Sequence, residues 1–90
     1  MDNERKKIII SFKKAKSSLE KIIEMTEQGE YCISIMQQNL AVIGLLKSAH
    51  HQLLDNHLRT CFKNAMASKN EQMKKKMIEE ITKVSKIANK

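Results

Sequence analysis

The sequence predicts an all-α fold, a three-helix protomer with a long central helix, and three observations carry that prediction. Among 90 residues there is no proline and there are only two glycines, while Lys, Glu, Gln, Leu, Ile and Met, all tolerated in helices, are abundant. Apolar residues recur at steps of three and four, the period of a helix with one wet face. Turn-like composition occurs around Glu27-Gln28-Gly29-Glu30 and again around Ser68-Lys69-Asn70-Glu71. The expected arrangement is a single domain over 1–90, with helices at about 3–28, 31–67 and 71–88.

The first helix is expected to start at Asp2 or Asn3, either of which can cap it. Ile8, Phe12, Ala15, Leu19, Ile22 and Ile23 form its apolar stripe. Ile8-Ile9-Ile10 is β-branched, but the helical spacing that follows favours helix. Gly29 stands where a helix-ending residue belongs. The second helix is apolar on several sides, from Ile33 and Met36 through Leu40, Ile43 and Leu46 to Leu58 and Phe62, and is expected to be the buried central element. Ser68 or Asn70 caps the third helix, whose stripe is Met73, Met77, Ile81, Val84 and Ala88. A chain this short, with Phe12, Tyr31 and Phe62 as its aromatics, has little core of its own and is expected to bury its long helices by oligomerising.

The net charge of +7 is unevenly placed. Residues 1–28 carry seven Lys or Arg against five acids, and residues 68–90 carry seven against three. Basic ends around a near-neutral centre suit an anionic partner such as DNA, although a solvated lysine surface explains them as well. No apolar run is long enough for a membrane span, and the start of the chain does not read as a signal peptide. Two cysteines near a histidine, without a secretion signal, point to a cytoplasmic chain with reduced thiols. No acid–base pair, nucleophile constellation or cofactor loop is present, so neither an enzyme nor a small-molecule substrate is expected.

Both cysteines belong to the central segment. His57 and Cys61, four apart, share a helix face and can grip one ion together. Cys32 lies 25 residues before His57, which in one helix is about 37 Å and nearly seven turns. Cys32 and His57 therefore share a face without touching, and one ion could use all three donors only if Cys32 came from an antiparallel second chain. Gly44 lies near the midpoint, where two such helices would cross, although a helix can also tolerate a glycine with no packing role. Thiolate donors select Cu(I) or Zn(II). Structural zinc wants a fourth ligand, for which His50 and His51, one to two turns from His57 and neither four residues from it, are the nearest candidates, whereas two sulfurs and an imidazole suit trigonal Cu(I). Two cysteines on a buried helix face are also often just small hydrophobes.

The runs Gly29-Glu30-Tyr31-Cys32-Ile33-Ser34-Ile35, Gln37-Gln38-Asn39-Leu40-Ala41-Val42 and Gln52-Leu53-Leu54-Asp55-Asn56-His57-Leu58-Arg59-Thr60-Cys61 resemble the CsoR/RcnR family of metal-sensing transcriptional repressors. The likeness covers most of the chain and is strongest from Gly29 to Cys61. It implies three-helix protomers forming antiparallel homodimers that pair into homotetramers. It also implies Cu(I) held by Cys32 of one subunit with His57 and Cys61 of the other. Nickel and cobalt sensors of the family place histidine at the last ligand position and near the N-terminus, where this chain has Cys61 and no histidine. Persulfide sensors keep the cysteines and lack the histidine. Around the ligands, the resemblance implies contacts from Tyr31 and from a glutamate of the third helix, Glu80 or alternatively Glu79. The implied function is Cu(I)-responsive repression, with operator DNA bound in the metal-free form and released on copper binding.

The DNA face departs from the family pattern. Its first helix carries arginines around a Gly-Gln pair, and its second another arginine after Ala-Val. Here the corresponding positions run from Ser11 to Lys21 with lysines only, and Ile43 follows Ala41-Val42. Lysine neutralises phosphate but does not read guanine bidentately as arginine does. Arg5, Lys6, Lys7, Lys13, Lys14 and Lys16 are the candidate DNA contacts. Two alternatives follow: a copper-buffering protein without specific DNA binding, or a thiol or persulfide redox sensor using Cys32 and Cys61.

Overall fold

The computed structural model describes residues 3–88, so the Asp2 alternative for the first cap lies outside the described residues, as does the Ala88 side chain. Helix α1 covers Asn3–Glu27, α2 covers Cys32–His57, a π-helical turn covers Leu58–Phe62, α3 covers Lys63–Ala67 and α4 covers Glu71–Ala88. The backbone stays helical from Cys32 to Ala67, so the expected long central helix is present with a π turn inside it. Three helical runs are separated by two short turns, and no strand occurs among the described residues. The chain divides into two compact units, Met1–Leu54 and Asp55–Lys90.

The first turn is determined by Gly29. Its φ of 69° lies in the left-handed region, open to glycine at little cost and to L side chains only with strain. That conformation lets Glu30 N–H reach Met25 O at 3.0 Å while Gly29 N–H reaches Thr26 O at 3.1 Å, the paired bonds of a Schellman ending. Carbonyls that the end of α1 would leave unsatisfied are thereby paired. The chain then turns into α2, whose first amides, Ser34 N–H and Ile35 N–H, both donate to Tyr31 O.

Within the first unit, Ile8, Ala15 and Met25 of α1 and Val42 and Ala49 of α2 are buried. Ala49 is wholly inaccessible, and alanines at 15 and 49 leave no long side chain to hold neighbouring backbone away. Ser11 on α1 places its hydroxyl 3.4 Å from Gln52 Oε1 on α2 and 3.3 Å from Lys7 O, so its single proton serves one of them at a time. The expectation that α2 is covered on several faces fails for the single chain. Ile33, Met36, Leu40, Ile43, Leu46 and Leu53 are exposed, because one neighbouring helix can cover only one stripe of a helix. On α1, Phe12, Leu19 and Ile23, also expected in the core, are exposed for the same reason.

In the second unit the helical run ends at Ser68, whose ψ of 164° is extended. Asn70 caps α4: its Oδ1 accepts Met73 N–H at 3.1 Å, and its carbonyl accepts Lys74 N–H. Ser68 supports the turn, its hydroxyl donating to Ala65 O at 2.7 Å and accepting Asn70 N–H at 3.3 Å. Of the two candidate caps, Asn70 therefore caps and Ser68 braces. Met77 and Ile81 are half-buried, while Met73 and Val84 from the same stripe are exposed. No helix among the described residues is long and apolar enough to cross a membrane.

A β-carbon at Gly29 would meet nothing within 4 Å, so the cost of Gly29→Ala is conformational alone. Urea denaturation at fixed protein concentration is expected to show Gly29→Ala destabilised by about 1–2 kcal/mol. Gly29→Asn, which tolerates the left-handed region better, is expected to lose less.

Candidate metal centre

Cys32 is the first residue of α2, and its thiol is free and exposed. Its position follows from the preceding turn, because Tyr31 supplies the carbonyl that opens the helix and Cys32 begins the regular backbone. The Tyr31 ring stands outside the fold at 73% exposure. The face of α2 leading away from Cys32 is apolar and open, with Met36 at 57% and Leu40 at 66% exposure. In this unit the thiol thus lies at the end of an uncovered hydrophobic stripe.

In the second unit His57 is the last residue of α2 and is half-buried, and the π turn begins immediately after it. Cys61 lies inside that turn, free and exposed. His57 and Cys61 were expected one α-helical turn apart, but the backbone between them is wider than an α-helix, with π-type pairing. The dihedral angles at its borders are ordinary: φ −61° and ψ −43° at His57, φ −58° and ψ −45° at Lys63. The π turn is therefore a local change of hydrogen-bond register rather than a break in the helix.

Thr60 donates its hydroxyl proton to Asn56 O at 2.7 Å, competing for a carbonyl that the regular ladder uses. Thr26 and Thr82 make the same bond inside regular α-helix, so the hydroxyl alone does not produce the π turn. The Thr60 oxygen also lies 3.8 Å from Cys61 Sγ, and with its proton committed to Asn56 that contact leaves the sulfur lone pairs open. Arg59, the neighbour on the other side, pairs with Asp55 on the helix surface.

Among the described residues no three His, Cys, Asp or Glu side chains converge on a common point. Cys32 belongs to the first unit, and His57 and Cys61 to the second. The donor chemistry nevertheless fits a soft ion: two accessible thiols and an imidazole, with neither sulfur committed to a disulfide. His50 and His51 have ring centroids 6.0 Å apart in an edge-on arrangement, and as successive residues of a helix they point about 100° apart, unsuited to chelating one ion. Glu79 and Glu80 are both exposed on α4. Arg5, Lys6, Lys7, Lys13, Lys14 and Lys16 are all exposed on α1, with Lys7 Nζ 3.8 Å from Glu4.

No residue pattern around the π turn distinguishes it from the regular helix at Thr26 or Thr82, so the sequence carries no signal for it. Met36 is an apolar position of α2 that also stands in a Cys-x-x-x-Met spacing on one helix face.

Residues 4–87 match the family of metal-sensitive transcriptional repressors. The chain is similar to the copper-sensing transcriptional repressor CsoR of Mycobacterium ulcerans, 43% identical over 54 residues that make up 60% of this chain and 46% of the relative. CsoR of Mycobacterium tuberculosis is 39% identical over 54 residues, 60% of this chain and 45% of that protein. The copper-sensing repressor RicR of Mycobacterium tuberculosis is 41% identical over 46 residues, 51% of this chain and 48% of its own length. The chain thus spans about half the length of the curated relatives it matches. Since the family match runs from residue 4 to residue 87, the chain belongs to the metal-sensitive transcriptional repressors.

Proposed function

We propose that this protein is a Cu(I)-responsive repressor that binds operator DNA without metal and releases it when copper occupies a site shared between two chains. The observation that carries this reading is a soft donor set of two accessible thiols, with His57 four residues before the second. Cys32 and Cys61 are both free and exposed, and no three donors meet among the described residues. The names of the copper-sensing relatives support the choice of ion. The family is one of regulators, in line with a chain that is not an enzyme.

Cys32 of one chain would join His57 and Cys61 of an antiparallel partner. The uncovered stripe of α2 supports this pairing, since Met36, Leu40, Ile43, Leu46 and Leu53 would otherwise remain in water. Covering that stripe would contribute roughly 25 cal/mol per Å² of apolar surface removed from water. Homodimers pairing into a homotetramer would extend the same principle to the exposed apolar side chains of α1.

Cu(I), when bound, supplies a soft Lewis acid that two thiolates and one imidazole can satisfy. His57 would orient its ring towards the shared site, and Tyr31 with Glu80, or alternatively Glu79, would hold the outer side of that ring. Among the described residues the helix containing Glu79 and Glu80 has no buried side chain, in keeping with an element open to bias. Arg5, Lys6, Lys7, Lys13, Lys14 and Lys16 would contact phosphates, which gives salt-dependent affinity with little base reading. The ion would need to favour the low-affinity state by about 1–3 kcal/mol, roughly a 5- to 150-fold change in DNA binding.

Anaerobic titration against a Cu(I) chelator is expected to give one tightly bound ion per protomer, with affinity falling at least about 100-fold in Cys61→Ser. Unchanged affinity in that variant would remove the site. Promoter DNA should bind the metal-free protein and be released by Cu(I). If the metal-free protein binds copper but shows no specific DNA binding, the chain is a copper buffer instead, as the lysines in place of arginine between Ser11 and Lys21 and Ile43 after Val42 would allow.

Gly44 decides the dimer geometry. In the single chain an added β-carbon there meets nothing within 4 Å, and alanine favours helix by about 1 kcal/mol, so Gly44→Ala should stabilise an isolated chain. If two α2 helices cross there, the same change is expected to weaken the dimer at least about tenfold in sedimentation analysis, because a close crossing has no room for the methyl group. For the DNA face, Lys13→Gln with Lys14→Gln is expected to reduce the slope of log affinity against log salt by about 1.8 if both residues neutralise phosphates.

A further inference from the structure

Met36 lies one helical turn after Cys32, both in the first unit and both on the open side of α2. Residues four apart on a helix have β-carbons about 5–6 Å apart, within reach for a thiolate and a flexible thioether to meet at one ion. An apolar face needs only a hydrocarbon at this position, which the neighbours Ile33, Leu40 and Ile43 supply. Methionine adds a soft, polarizable sulfur on three rotatable bonds. In the single chain that side chain is 57% exposed, and its rotatable bonds allow it to turn towards the thiol beside it.

We propose that Met36 is an additional sulfur ligand for Cu(I) in this protein, binding together with Cys32 as a two-sulfur anchor on one chain. The inference rests on the copper reading above and adds a donor to it. The thioether offers a lone pair and has no proton to lose, so its contribution costs no deprotonation, unlike that of Cys32. Because thioether sulfur is soft, it discriminates Cu(I) from the borderline ion Zn(II). Met36 would thereby raise selectivity for the monovalent ion as well as affinity, and would let one chain hold copper loosely before His57 and Cys61 of the partner complete the site.

The direct test uses full-length protein labelled with selenomethionine and loaded with one equivalent of Cu(I) under anaerobic conditions. X-ray absorption at the selenium and copper edges reads whether selenium is bonded to copper. A Cu–Se neighbour is expected in the labelled protein and should vanish in labelled Met36→Leu, which keeps the apolar volume and the helix. Competition titration of Met36→Leu is expected to show Cu(I) affinity lowered by about tenfold, the low end of what a supporting group contributes to a metal site, with Zn(II) affinity unchanged. Copper bound without any Cu–Se neighbour, or with one that survives Met36→Leu, overturns the role of Met36 and leaves the Cys-His-Cys site standing. Failure of the protein to bind Cu(I) at all overturns both. An equal loss of Cu(I) and Zn(II) affinity would assign Met36 to packing.

Discussion

Helix α2 is apolar on more sides than one chain can cover, and that shortage of cover governs the rest of the molecule. In the first unit a single stripe, through Val42 and Ala49, is buried. The stripe through Met36, Leu40, Ile43 and Leu46 is left in water. No large side chain among the described residues is wholly inaccessible, so the hydrophobic contribution available within one chain is small against the entropy of ordering it. A second copy is the cheapest source of further cover, because it brings the same uncovered stripe. The apolar stripe left open and the Cys32 thiol at its end are thus parts of one surface.

The local backbone around the donors follows a different logic. Cys32 is placed by a turn with little freedom, since the Schellman bonds at Gly29 and the carbonyl of Tyr31 set where α2 begins. Cys61 is placed by a π turn, a helical register that is less common and less stable than the α form. One thiol therefore sits at a helix start set by these bonds, and the other within the π turn.

The surface chemistry separates the two halves of the proposed activity. Sulfur and imidazole donors select among metals by softness and geometry, and two thiols with a histidine satisfy that demand. Sequence-specific DNA reading depends on side chains that reach base edges with paired hydrogen bonds, and the lysines of α1 lack that geometry. Their exposure provides for phosphate contacts, which position a protein on DNA without choosing a site. In the proposed activity the metal half would thus rest on residues of defined chemistry, and the DNA half on charge and on DNA shape.

The all-α class, the two turns and the family were legible in the residues themselves, because each depends on local physics. Absence of proline, apolar steps of three and four, the glycine at 29 and the Asn70 cap act within a few positions of chain. The candidate donors could be named from the residues for the same reason, since cysteine and histidine declare their chemistry whatever the fold around them. Which face of α2 is covered, which of Phe12, Ala15, Leu19 and Ile22 enters the core, and the π register across Cys61 were not. Apolar periodicity ranks those positions alike, and only the packing of one helix on another selects Val42 and Ala49 over Met36 and Leu40. Residue type determined what this chain can bind, and tertiary structure decided which of those groups one chain keeps for itself and which it leaves exposed.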